Sequence, residues 1–150
     1  MMFYYCSSLI IGPSELPAVD LASSCYDYMF YRCENMQNTP KLSGIILASA
    51  CYNNMFDYCY SLTELPEFPS INLEFQCYRS MFWQCHNIGH EVYLPAIELT
   101  PSCYSHLFYE CYNIDKIQVN FTEWNLNSTP NWVYNVSPTG IFIKPSELPE

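Results

Sequence analysis

Basic residues are scarce in this chain. Five Lys and Arg stand against fifteen Asp and Glu in 150 residues, a formal net charge of −10. The five (Arg32, Lys41, Arg79, Lys116, Lys144) are scattered, so no cationic patch exists to neutralise phosphates. That excludes nucleic acid as a partner and disfavours anionic membrane surfaces. Charge of either sign is also low, 13% of residues against the roughly 25% usual in globular chains. No run approaches the roughly 18 apolar residues that cross a bilayer, so no membrane insertion is expected. The start, Met1-Met2-Phe3-Tyr4-Tyr5-Cys6, lacks a basic region, a long apolar run and a small-residue cleavage site, so it is not read as a secretory leader. Half of the chain is apolar and 17% aromatic, a composition that folds, and its length suits one domain with a continuous core.

What is present is a repeat. Cys25-Tyr26, Cys51-Tyr52, Cys77-Tyr78 and Cys103-Tyr104 recur every 26 residues. Met29-Phe30, Met55-Phe56, Met81-Phe82 and Leu107-Phe108 follow four residues after each of these cysteines, and Cys33, Cys59, Cys85 and Cys111 follow eight after it. Met2-Phe3 and Cys6 are the tail of an earlier copy. Apolar residues come three places past each second cysteine (Leu9, Met36, Leu62, Ile88, Ile114), and two more rows follow: Leu16, Leu42, Phe68, Leu94 and then Leu21, Leu47, Leu73, Leu99. The copy holding Pro13 and Leu16 is one residue longer, 27 in all.

Each unit reads as a short helix and a short strand. Leu21, Cys25, Met29 and Cys33 are spaced by four and share one helical face, with Phe30 widening the stripe. Thr100-Pro101 suits an N-cap followed by proline in the first turn. The second half of the unit is Pro-rich, with apolar residues at even offsets (Leu62, Pro66, Phe68), as in a brief strand. One such unit cannot bury its apolar side alone, so stacking is required. The fold class expected is an α/β solenoid, with short helix plus short strand units forming a curved parallel sheet.

These residues resemble the BspA-like leucine-rich repeat proteins of bacterial surfaces, with related copies in phage-encoded proteins. The resemblance rests on Met55-Phe56-Asp57-Tyr58-Cys59-Tyr60-Ser61-Leu62, on Leu16-Pro17-Ala18 and Leu94-Pro95-Ala96, and on Leu21 to Tyr26. It covers Met2 to about Val136. It implies a leucine-rich-repeat array, surface display on a bacterium or virion, and a role in attachment or recognition; it carries no catalytic residue. The array is assigned residues 1–136 (partial repeat 2–28, repeats 29–54, 55–80 and 81–106, degenerate repeat 107–132), with 132–150 as a closing segment. In the degenerate repeat Thr129 takes the place of the next first cysteine, and Trp132-Val133 replaces Met-Phe one residue early. The chain reads as cut from something longer, or minimal, at both ends, and an open first repeat invites self-association.

Nine cysteines raise the question of disulfides. Eight residues of helix would separate Cys25 from Cys33 by about 12 Å, beyond the roughly 7 Å a bridge allows, and packed helices about 8–10 Å apart would strain pairing between copies. The cysteines are therefore read as free, small, buried residues in two rows. His86, His90 and His106 lie near cysteines in sequence, but without Cys-x-x-Cys spacing they are read as surface residues, and no metal or cofactor is expected. No Ser or Cys is accompanied by a base and an orienting group, and the acids are scattered, so no enzyme activity is expected; a hydrolase or metal-binding domain is a remote alternative. The Tyr following each first cysteine is read as a half-buried flank rather than a ligand-stacking row. Asn120, Asn127 and Asn135 fit the glycosylation acceptor pattern and carry no weight here.

Recognition is expected on variable outward positions of the strand side: Gln37, Asn38, Thr63, Glu64, His90, Glu91, Asp115 and Lys116. Charge reversal of Glu64, Glu91 and Asp115 is expected to weaken partner binding while leaving the melting temperature nearly unchanged. The function expected is a non-enzymatic module that binds a protein or glycan on a host or neighbouring cell; the alternative is a structural spacer, which would tolerate charge reversal on every face.

Overall fold

A computed structural model describes residues 2–125 and 127–150. No helix lies among the described residues, and the only strands there are β1 (Glu15–Leu16), β2 (Lys41–Leu42), β3 (Glu91–Leu94), β4 (Lys116–Val119) and β5 (Ile141–Ile143). The helix-plus-strand leucine-rich-repeat solenoid expected from the sequence is therefore not the fold. The four-residue spacing is real, but the backbone realises it through turns.

Residues 22–33 show how. The N–H groups of Cys25, Asp27, Met29, Tyr31 and Cys33 each donate to the carbonyl three residues back, at 3.0–3.3 Å. The N–H groups between them, on Ser24, Tyr26, Tyr28, Phe30 and Arg32, donate instead to Ser49, Cys51, Asn53, Met55 and Asp57 of the next copy, at 2.9–3.0 Å. Alternate residues thus close a local turn or bind the neighbour, and nearly every backbone donor is used. The same alternation runs through 48–59, 74–85 and 100–111. Proline fits at Pro101 because its place in this ribbon of turns needs an acceptor only: its carbonyl takes the Gln76 N–H.

The cost is conformational. Among the described residues fifteen non-glycine positions have φ between 51° and 60°, and none of the glycines does. They recur with the repeat: Ser24, Tyr28, Arg32; Ala50, Asn54, Tyr58; Gln76, Ser80, Gln84; Ser102, His106, Glu110. Each costs about 1 kcal/mol. Two things offset this. Weak helix formers dominate the segment (Ser23, Ser24, Cys25, Tyr26, Asp27, Tyr28, Phe30, Tyr31, Cys33), so little helical propensity is given up. A helix would also satisfy its backbone internally, whereas the ribbons 22–33, 48–59, 74–85 and 100–111 each place five backbone hydrogen bonds on the next copy.

Those bonds hold like residues over like. Phe3, Phe30, Phe56, Phe82 and Phe108 stack with ring centroids 5.3–6.0 Å apart, and Tyr26, Tyr52, Tyr78 and Tyr104 at 5.5–6.2 Å. Met55, Met81, Leu107, Leu62 and Ile88 are buried in the same core as these rows, together with Leu42, Phe68, Leu73 and Leu94 of the strand side. The Tyr row is not a half-buried flank: Tyr52, Tyr78 and Tyr104 are fully buried, and Tyr26 alone is partly exposed.

All nine cysteines are free, seven of them buried, with Cys6 and Cys25 exposed. The second-cysteine row is tied to the core, since Cys33, Cys59, Cys85 and Cys111 donate their thiols to the carbonyls of Phe3, Phe30, Phe56 and Phe82 at 3.0–3.1 Å. The spacing argument drawn from packed helices does not apply, because neighbouring copies are joined backbone to backbone.

The strand side pairs in parallel, copy on copy: Glu15 lies opposite Lys41, Glu91 opposite Lys116, and Lys116 opposite Ile141. The single curved sheet expected is instead two, β1-β2 and β3-β4-β5. Pro66 and Pro69 stand in the copy between them, and proline has no N–H to give a ladder. In the last copy the register is one residue off the sequence reading. Tyr104 donates to Ser128 and Phe108 to Trp132, so Ser128, not Thr129, takes the first-cysteine place.

Candidate functional site

The eight residues predicted on the strand side do come together along one edge of the coil, and most of their polar groups are spent on the adjacent copy. Lys116 pairs with Glu91 at 2.9 Å and His90 with Asp115 at 3.4 Å. Asn38 is structural: its Oδ1 accepts from the Gly12 N–H at 2.8 Å and its Nδ2 donates to the Pro13 carbonyl. Gln37, Thr63 and Glu64 are exposed, and their side chains make no hydrogen bond among the described residues. The edge is a row of neighbour pairs, each worth at most about 1 kcal/mol at such exposure, with three unengaged side chains at its centre.

The opposite, turn-bearing face carries a feature the sequence reading missed. Its outward positions hold rings that contact one another from copy to copy. One run passes from Tyr4 to Tyr31 (5.1 Å), Tyr58 (5.8 Å), Tyr60 (6.1 Å), His86 (5.2 Å) and Tyr112 (4.9 Å). A second passes from Trp83 to Tyr109 (4.7 Å) and Tyr134 (4.7 Å), with His106 stacked on Trp83 at 4.9 Å. Tyr4, Tyr112 and Tyr134 are more than two-fifths exposed, and the rings between them are partly exposed. Tyr4–Tyr31, His86–Tyr112 and Tyr109–Tyr134 meet face to face, whereas Tyr31–Tyr58 and Tyr58–Tyr60 meet edge to face at 87° and 78°. Between the two runs lies a polar strip, where Gln84 donates to Glu110 at 2.9 Å. Arg32 lies over Tyr58 at 4.5 Å and reaches Tyr5 and Tyr31 at 5.4 and 5.8 Å, a cation–π arrangement that holds one of the few positive charges on the aromatic face.

The second run begins only at Trp83, because Asp57 stands where other copies carry Tyr31, Trp83 and Tyr109. It is buried, and its Oδ1 has no hydrogen-bond partner among the described residues; the same is true of Asn53 Oδ1, Asn54 Oδ1 and Ser80 Oγ nearby. Burial raises its carboxyl to about 7, against the opposing pull of Asn54, Arg32 and the Tyr58 N–H. His106 is held at both ring nitrogens, by Ser105 Oγ at 2.9 Å and Asn131 Nδ2 at 3.3 Å, and burial lowers its pKa.

Burial pushes the Cys33 and Cys51 thiols up to about 11 and raises Cys59, Cys77 and Cys85 well above the ordinary thiol range, so thiolate is scarce near neutral pH. Ser105 is buried, and Asn131 rather than a carboxylate orients its histidine neighbour. No group of three or more His, Cys, Asp or Glu suited to a metal lies among the described residues. One apolar cleft of about 330 Å³ opens beside Trp124, Trp132, Val136 and Phe142 at the C-terminal end of the coil.

The ring runs have a sequence signal: Tyr31 and Tyr109 recur at the 26-residue spacing, as do Tyr60 and Tyr112, with Tyr4 and Tyr134 one residue off it at either end. Substitution by Asp57, Trp83 and His86 hid it among variable positions. No protein-family model, curated protein or solved structure matches this chain.

Proposed function

We propose that the chain is a non-catalytic recognition module whose partner, a protein or glycan of another cell, docks on the ring-bearing turn face. The supporting observation is the pair of ring runs, Tyr4 to Tyr112 and Trp83 to Tyr134, flanking the Gln84–Glu110 strip. Rings packed against one another present a stiff surface that loses little side-chain entropy on binding, which is why Tyr and Trp favour recognition surfaces. The net charge of −10 selects neutral or basic partners over polyanions. Surface display on a bacterium or virion belongs to the same reading and draws on the BspA-like sequence resemblance.

The test is binding of the chain to glycan and peptide arrays, repeated with Tyr109→Ser plus Tyr112→Ser and, separately, with Glu64→Lys plus Asp115→Lys. Loss of signal confined to the tyrosine variant, with an unchanged melting temperature, supports the proposal. Loss confined to the charge reversals returns the role to the strand side. Absence of any array signal that either change alters favours a spacer.

A further inference from the structure

Between the strand side and the following ribbon, each copy passes through a corner, and the corners carry a row that belongs neither to the strand edge nor to the ring runs. Val19, Ile45, Ile71 and Ile97 recur at the 26-residue spacing and are 48%, 53%, 50% and 51% exposed. Successive members are neighbours in space. The Val19 carbonyl accepts from the N–H groups of Ile45 and Ile46 at 3.1 Å, the Ile45 carbonyl from Ser70 Oγ at 3.0 Å, and Ile71 and Ile97 line one recess. Two residues on in each copy stands a leucine packed into the core, Leu21, Leu47, Leu73 or Leu99. The core accounts for those leucines but not for the row outside it. The exposed residue directly after each member differs in every copy, as Asp20, Ile46, Asn72 and Glu98, while the row itself stays β-branched and aliphatic. Single exposed apolar residues need no explanation, but a contiguous line of them marks a contact surface.

Charge and spacing select the partner. Asp20, Glu74, Glu98 and Glu123 are exposed along the corners, and none of them forms an ion pair among the described residues. No Lys or Arg occurs in 17–24, 43–50, 69–76, 95–102 or 121–128. Recesses of about 250 Å³ between Ile71 and Ile97 and about 580 Å³ between Ile97 and Trp124 open beside these acids. Parallel copies lie about 4.8 Å apart. A helix brings the next residue of an apolar stripe round every three or four positions, about 4.5–6 Å along its axis, whereas an extended peptide returns to one face only about every 6.6 Å. A helix laid along the coil therefore keeps step with the row. We propose that this corner is a docking groove for a basic amphipathic helix of a partner protein, its apolar stripe on Ile71 and Ile97 and its flanking Lys or Arg on Glu74, Glu98 and Glu123. Apolar contact supplies the affinity, and the acids select the charge and orientation of the helix. A second copy of this chain would bring acid against acid, and an anionic membrane is repelled for the same reason.

Fluorescence anisotropy of a labelled Leu/Lys peptide patterned as an amphipathic helix, titrated with the full chain, tests this. Two controls accompany it: the same residues in an order that breaks the stripe, and a Leu/Glu peptide of the original pattern. The expected result is saturable binding of the patterned Leu/Lys peptide alone. Ile71→Ser plus Ile97→Ser should weaken it by about tenfold or more, and so should Glu74→Lys plus Glu98→Lys, each at an unchanged melting temperature. Tyr109→Ser plus Tyr112→Ser should leave it unaltered, which separates this groove from the ring-bearing face. No binding, equal binding of the peptide with the broken stripe, or binding that survives both corner changes overturns the proposal. So does association of the chain with itself, seen by sedimentation velocity, that Ile71→Ser plus Ile97→Ser abolishes. Should the serine variant fail to fold, the charge reversal, which touches only exposed carboxylates, decides the matter.

Discussion

Asn54 donates its side-chain amide to Asp57 across 3.0 Å, and this is the one side-chain hydrogen bond the buried carboxyl receives among the described residues. The pair is a weak substitute for water. Burial therefore holds the folded-state pKa at about 7, above the usual 3.8. Between those values the folded chain binds more protons than the unfolded one, so this contribution to stability is complete below pH 4 and is lost as pH rises through about 7.

Asp57→Asn should remove that loss. Urea denaturation across pH is expected to show the variant more stable at pH 8 by on the order of 2–4 kcal/mol and nearly equal to the parent below pH 4. His106 acts in the opposite sense: its pKa is lowered by burial, so its share is intact above 6.5 and falls as pH drops through the lowered value. A parent curve that declines on both sides, with the alkaline decline absent from Asp57→Asn, is the expected pattern. An alkaline decline that persists in the variant assigns it to another group.

The thiols should divide by place in the coil. In dilute solution a thiol reagent is expected to react promptly with Cys6 and Cys25 and to reach Cys33, Cys51, Cys59, Cys77, Cys85, Cys103 and Cys111 only on unfolding. Cys85→Ala deletes a buried thiol that donates to the Phe56 carbonyl at 3.0 Å. It should cost about 1–2 kcal/mol, read as a lower urea midpoint with an unchanged slope.

Ala50 isolates the cost of the left-handed backbone, since its φ is 55° and its side chain has no hydrogen bond to lose. Ala50→Gly is expected to raise stability by about 0.5–1 kcal/mol, because glycine adopts that conformation freely. Ala50→Val should lower it by more, since a β-branched residue is hardest to place there. Equal stabilities for the three chains would mean that this turn does not hold its conformation in solution.

The repeat and its buried residues could be read from the sequence; the backbone joining them could not. Cys25, Met29 and Cys33 share a face whether the chain advances by a helical turn of 3.6 residues or by a ribbon that recurs every four, and over eight residues the two drift apart too little to tell. Thr100-Pro101 was equally ambiguous, since a helix start and this ribbon both tolerate a missing N–H. What separates the two is the destination of the N–H groups on residues such as Tyr26 and Phe30, which lies in the next copy. The site divides similarly. The strand-edge row is legible from its variability, while the Trp83, Tyr109 and Tyr134 run is not, because its common property, a ring, survives changes of residue.

The buried tyrosines give the sharpest test of how dry the interior is. Tyr52, Tyr78 and Tyr104 stack at 5.5 and 6.2 Å, and none of their hydroxyls has a hydrogen-bond partner among the described residues. A hydroxyl buried without a partner forfeits its hydration, a cost of about 1–3 kcal/mol, while the ring around it stabilises the core. Tyr78→Phe keeps the ring and removes the unpaired group, so it should match or exceed the parent by up to about 1–3 kcal/mol in urea denaturation. The space around this row is tight, because a Cβ added at Gly44 would lie 2.7 Å from the Tyr52 hydroxyl and 2.6 Å from Leu21 Cδ1. Gly44→Ala should therefore destabilise, and Gly44→Ala with Tyr52→Phe should recover part of the loss. If Tyr78→Phe instead lowers stability by more than about 1 kcal/mol, the hydroxyls are bridged by buried water, and the tyrosine row is a hydrated polar seam rather than a dry stack.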